Sequence, residues 1–229
     1  MDKETFNKNL QKEKAKIHSL DNKAKLTYLW DYYKIPIVGA IALIGIIIYF
    51  CYVIAVRPPE SAFYVSFVNS YAEISEGSDF FDEFAKYAQI DTSKNSMTLE
   101  TGSYFDLSTN SGFNNAYYEK TVAIVESGMV DVIVCDKDNY YNLSSSGLFL
   151  NLEDEKVADI YKTYTNRVLT TKHAETGEEV KVGIDVSDSE WFKKLNTYSN
   201  GAVVLISPKA PHLDKVKPFI DFLVHKSDQ

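Results

Sequence analysis

Residues Ile35 to Val56 read IPIVGAIALIGIIIYFCYVIAV, 22 residues without a charge. At about 1.5 Å per residue such a run spans about 33 Å as a helix, enough for a hydrocarbon core of about 30 Å. Trp30, Tyr32, Tyr33 and Lys34 precede it, the aromatic and basic types that anchor at lipid headgroups. Tyr49 and Tyr52 approach its far end, and Arg57-Pro58-Pro59 is expected to stop the helix. The run predicts a membrane-spanning segment over 35–56 and divides the chain into a tail (1–34), a linker (57–61) and a C-terminal domain (62–229).

Charge orients that division. The tail carries eight lysines against five acids, whereas residues 57–229 carry 16 basic against 27 acidic side chains. The excess of lysine on the short side predicts a cytoplasmic N-terminus and an acidic domain outside the cell. A cleaved leader fits less well: its apolar region would be about 7–15 residues, after a short basic start and before a small-residue site. Here 34 residues come first, and Ala55-Val56-Arg57-Pro58-Pro59 follows. An uncleaved anchor in the cell membrane is expected. Within the tail, Phe6, Leu10, Ile17, Leu20, Ala24 and Tyr28 recur at helical intervals between lysines. Two readings stay open there: a helix lying on an anionic leaflet, or a tail that only sets orientation.

Cysteine usage removes options. Cys51 lies in the apolar run and Cys135 in a predicted buried strand, with no CxxC pair or zinc-type spacing. The C-terminal domain must therefore fold on its apolar core, for which about 170 residues suffice. Ala62–Asn69 reads as a buried strand, and Ser78 as the cap of a helix from Asp79 to about Ala88. Met97–Thr101 alternates as a second strand. A helix over about 114–127 follows, with Tyr117, Thr121, Ile124 and Val125 on one face and Gly128 as its stop. Val130–Cys135 is a near-continuous apolar run, the pattern of a central parallel strand. Val168–His173 and Glu179–Asp185 form an expected hairpin turned by Glu175-Thr176-Gly177. A short helix from Ser189, a strand Ala202–Ser207 and a helix ending near Val224, kinked or started at Pro218, complete the chain. The fold expected is α/β: one N-terminal membrane helix followed by a mostly parallel sheet covered on both faces.

The segment Glu126-Ser127-Gly128-Met129-Val130-Asp131-Val132-Ile133-Val134-Cys135-Asp136 resembles type-2 extracellular solute-binding proteins, in which a helix ends at Ser/Ala-Gly before a "-V-D-V-" strand. Gly147-Leu148-Phe149-Leu150-Asn151-Leu152 is similar to that family's "G-hydrophobic-hydrophobic-x-D/N-L", Gly183-Ile184-Asp185-Val186 to its returning strand, and Val216–Leu223 to its "A-x-x-F-I-x-F-L" helix. The likeness covers some 60 to 100 residues and implies a domain like one lobe of a periplasmic binding protein. Those proteins close two lobes on their ligand, and about 170 residues hold one. With its basic tail and its Trp-Asp-Tyr-Tyr-Lys-Ile-Pro approach to the span, the whole resembles uncharacterised membrane-anchored proteins of Gram-positive bacteria.

No catalytic set stands out. His18, His173, His212 and His225 are scattered, and no HExxH, GxSxG or GxxxxGK[ST] motif occurs. Asp136-Lys137-Asp138-Asn139-Tyr140 begins like a calcium loop, but Tyr140 takes a ligand position and the following glycine is missing, so Asp136 reads as an N-cap. No enzyme, metal site or cofactor is expected. Ligands of open α/β sheets bind outside the carboxyl ends of the strands, which makes Asn69, Asp136 and Ser207 candidate pocket-rim residues. Tyr140 and Tyr141 join them as aromatics near the surface that a second lobe would cover. Sixteen tyrosines could build an aromatic platform, or their rings could edge the core. The acidic domain argues against a nucleic-acid partner. The expected function is an extracytoplasmic binding or assembly domain of a membrane complex. Its partners would be the bilayer and another membrane protein, since Gly39 and Gly45 are each followed four residues on by a large side chain and make no GxxxG motif. The alternative is a small-molecule sensor acting through such a partner.

Overall fold

The computed structural model describes residues 21–55, 59–108 and 112–225, with residues 5, 11, 12, 14, 15 and 18 of the tail. The chain divides into two compact units, Met1–Pro58 and Pro59–Gln229. In the first, helix α1 (Asn22–Ala55) is continuous, and its stretch Tyr33–Ile54 is long and apolar enough to cross a membrane. Pro36 lies inside it, so one backbone hydrogen bond is given up without ending the helix. Phe6, Leu10, Ile17 and Leu20 of the expected tail stripe lie outside the described residues, as do the predicted stop residues Arg57 and Pro58.

The second unit opens with β1 (Glu60–Val68), which takes in two residues of the expected linker. It continues through α2 (Asp79–Tyr87), β2 (Asn95–Ser103), α3 (Ala116–Glu126), β3 (Val132–Asp136) and α4 (Lys137–Ser145). Then come α5 (Ala158–Thr163), β4 (Val168–Lys172), β5 (Glu179–Asp185), α6 (Glu190–Lys194), β6 (Ala202–Ile206) and α7 (Leu213–Val224). The starts are chemically marked. Ser78, Asn115 and Asp136 each cap a helix through a side-chain oxygen that accepts a backbone N–H. Gly128, at φ 71°, takes the left-handed turn after α3 that a side chain would strain. Pro218 falls inside α7, not at its first turn.

The six strands form one sheet in the order β2-β1-β3-β6-β5-β4. β1 pairs in parallel with β2 and β3, while β3–β6, β6–β5 and β5–β4 are antiparallel. The sheet is therefore mixed, not mostly parallel. The β4–β5 hairpin was legible from its turn, but the direction of β6 was not, because a fully apolar strand reads the same either way.

Burial explains the layers. Every residue from Val132 to Cys135 is inaccessible, as is almost all of β6, because both sheet faces are covered. On one face α2, α6 and α7 pack against Phe63, Val65, Phe67, Val132, Val134 and Val204. Seven rings (Phe63, Phe67, Phe80, Phe84, Trp191, Phe219 and Phe222) interlock there with centroids 5.2 to 6.2 Å apart. On the other face α3 and α4 cover Val68, Ile133, Cys135, Val203 and Leu205. Successive strand residues thus serve opposite cores. Because β2 and β3 flank β1 on opposite sides, the chain reverses direction across the sheet between β1 and β3, a topological switch point.

Candidate functional site: the two ends of the β1–β3 pair

At the carboxyl ends of β1 and β3, Asn69 and Asp136 meet. Asn69 adopts φ 59°, a left-handed conformation that asparagine tolerates better than most residues. Its Nδ2 donates to Asp136 Oδ2 at 2.8 Å and to the Phe105 carbonyl at 2.8 Å, while its Oδ1 accepts the Phe105 N–H at 3.0 Å. Asn139, in the first turn of α4, donates to both Asp136 oxygens, and its Oδ1 accepts the Leu107 N–H at 2.8 Å. Asn142 Nδ2 donates to the Leu107 carbonyl at 3.0 Å. The polar groups of the switch point therefore hold the protein's own 104–108 segment across it. Asp136 also caps α4 by accepting the Asn139 N–H at 2.9 Å.

Beside this network lies an open groove of about 440 Å³, lined by Asp106, Ser108, Asp136, Lys137, Asp138, Asn139 and Tyr141. Lys137 Nζ donates to Asp185 Oδ2 at 2.8 Å, and Ser187 Oγ donates to Asp185 Oδ1. Burial works against the charged form of Asp185, yet these bonds outweigh it and hold its carboxyl below the ordinary value. A second groove of about 300 Å³ lies alongside Asp185, Ser187, Asn166, Arg167 and Asp188. Arg167 makes two parallel hydrogen bonds to Asp188, at 2.6 and 2.8 Å, which lower that carboxyl's pKa.

The five residues singled out from the sequence part company. Asn69 and Asp136 touch. Tyr141 stands at the groove rim, 65 % exposed. Tyr140 does not join it: its ring is 1 % exposed and lies across β5 at Gly183, where an added Cβ would come within 2.5 Å of Cε2. Burial pushes its hydroxyl up to about 12. Adjacent helix residues point to different faces, so only one of the pair reaches the groove. Ser207 sits at the opposite end of the sheet, its N–H donating to the Asp131 carbonyl at 3.0 Å. It follows β6, which is antiparallel to β3, so the carboxyl end of β6 lies where β3 begins.

That opposite end holds the constellation that sequence reasoning missed. Asp131 is fully buried. Its Oδ2 accepts the Tyr64 N–H at 2.9 Å and faces His212 Nδ1 at 3.0 Å, and its Oδ1 accepts the His212 N–H at 2.6 Å. One carboxylate thus ties β1, the start of β3 and the approach to α7 together. A cleft of about 280 Å³ adjoins His212, with Gln89, Ile90, Asn95 and Lys215 on its walls. The available signal was a single acid inside an apolar run, because a charge buried there demands partners.

Cys135 is inaccessible, and burial pushes its thiol well above the usual range, which suppresses thiolate chemistry. Among the described residues no three His, Cys, Asp or Glu side chains gather to hold a metal ion. No protein-family model, curated protein or solved structure matches the chain.

Proposed function

We propose that this chain is a single-pass membrane protein with its N-terminus in the cytoplasm, and that its C-terminal domain is a non-catalytic extracytoplasmic binding or assembly module. The membrane reading rests on the 22-residue apolar stretch of α1 and on the lysine excess of the tail. The module reading rests on one observation above the others: Asn69, Asp136 and Asn139 hold the 104–108 segment over the switch point. In a small-molecule receptor of this topology those groups would be turned toward the ligand. Spending them on the chain itself favours a domain that presents a preformed surface.

Two measurements test this. External protease applied to intact cells should digest the C-terminal domain and spare a tag on Met1; protection of the domain would overturn the topology. Thermal-shift screening of the full chain in detergent against sugars, amino acids and divalent metals should leave the melting temperature unchanged. The open groove at Tyr141 and Asp106 favours a second reading, a small-molecule sensor. A ligand at 100 times its dissociation constant would add about 2.7 kcal/mol, and a shift of that size would decide for the sensor.

A further inference from the structure

Three tyrosines stand at the carboxyl edge of the parallel strands, one on each of three successive segments. Tyr71 follows β1, Tyr104 follows β2 and Tyr117 opens α3. Tyr71 is 85 % exposed, yet it lies flat on Tyr104 with centroids 4.7 Å apart and planes 19° from parallel. Tyr117 meets Tyr104 edge to face at 6.3 Å and 81°. The Tyr104 hydroxyl donates to the Ser70 carbonyl at 2.9 Å, which fixes the central ring. An aromatic face that is open to water and also held in place is presented without the ordering cost that a loose side chain would add on binding.

The charges around this face have one sign. The described segments 69–78, 104–108, 112–115 and 136–138, which build the edge, carry Glu73, Glu76, Asp106, Asp136 and Asp138 against the single base Lys137. Lys137 is already bound to Asp185. Four other cations on neighbouring elements are also held: Lys120 by Glu100, Arg167 by Asp188, Lys193 by Glu190 and Lys194 by Asp79. Alternating burial from Tyr71 to Ser75 sets Tyr71 and Glu73 on the same exposed side. Among the described residues no ion pair neutralises Glu73 or Glu76.

We infer that this edge docks a cationic, arginine-bearing segment of a partner polypeptide, with guanidinium groups stacking on Tyr71 and Tyr117 and pairing with Glu73 and Glu76. A planar cation satisfies both halves of the surface at once, through attraction to the ring face and paired hydrogen bonds to carboxylates. A neutral sugar would use the rings and leave the acidic field without a purpose. The inference rests on the reading of the domain as a binding module and names the chemistry of what it binds.

The test uses the full chain in phosphatidylcholine nanodiscs with a fluorescent deca-arginine peptide, and deca-glutamate as control. Deca-arginine should bind and deca-glutamate should not. Tyr71→Ala with Tyr117→Ala leaves the net charge unchanged and should weaken binding at least tenfold; Glu73→Gln with Glu76→Gln should do the same. Glu155→Gln removes an acid from a different loop and should have less than a twofold effect. Unaltered binding by the tyrosine variant, its melting curve being unchanged, would reduce the attraction to bulk charge and overturn the inference, leaving the module reading standing. Tyrosine-dependent binding of maltoheptaose in place of the peptide would also overturn it. Protection of the domain from external protease would instead break the topology reading without touching the peptide result.

Discussion

The strand β3 is bracketed by two aspartates, and the two ends of the sheet treat them differently. Asp131 is sealed, and two of its three donors are backbone N–H groups from distant segments. Asp136 is half-buried and held mostly by the side chains of Asn69 and Asn139, with a groove beside it. Backbone donors come from elements already locked in the sheet and in the approach to α7, so the Asp131 end is a staple. Side-chain donors carry a loop, so the Asp136 end can present a surface. The same residue type five positions apart serves stability in one case and display in the other.

The largest expected effect lies at the staple. Asp131→Ala leaves the Tyr64 and His212 N–H groups buried without an acceptor and should cost about 3–5 kcal/mol in urea denaturation. A loss under about 1 kcal/mol would show that the two ends are not different in kind. Asp136→Ala should cost less, about 1–2 kcal/mol for the cap. Its signature should be local: faster hydrogen exchange at Phe105 and Leu107, whose amides bond to Asn69 and Asn139. Protection unchanged at both amides would mean the network does not hold the loop.

Acid sharpens the contrast further. Asp185 and Asp188 have folded pKa values below the ordinary 3.8. A depressed carboxylate contributes stability that is present above its unfolded pKa and is lost as pH falls through the lower folded value. Lys137→Ala should therefore lower stability at pH 7 and flatten the acid limb below pH 3.8, as read by urea midpoints across pH. An acid limb as steep as that of the unsubstituted chain would remove Lys137 from the account. The smallest effect is expected at the display surface: Tyr71→Ala should change stability by less than about 0.5 kcal/mol, since the ring is mostly exposed. A larger loss by thermal melting would make the stacked tyrosines structural.

Much of this architecture could be read from residue patterns. Ser78 and Asp136 announced their helices because a side-chain oxygen placed just before a helix has one obvious role, accepting a backbone N–H of the first turn. Asn69 and Asp136 were legible as neighbours because strands of one parallel unit bring their carboxyl ends to one edge. Ser207 was not, since that rule fails for a strand running the other way. Tyr140 and Tyr141 differ only in the helix face they occupy, and α4 is too short and polar for its periodicity to show which face is buried. His212 was invisible as a partner of Asp131 because 81 residues separate them and no motif links the two.

What the sequence determined by itself was local: an uncharged run long enough to cross a membrane, the sign of charge on either side of it, and strands and helices marked by period, cap and turn. Those properties act through a few neighbouring residues, so chain order is enough to read them. Tertiary structure alone decided the direction of β6, the burial of Tyr140, the Asp131–His212 staple and the stacking of Tyr71 on Tyr104. Each depends on which distant segments share an edge or face of the sheet, and that is set by the packing of two cores against one sheet, not by any local preference.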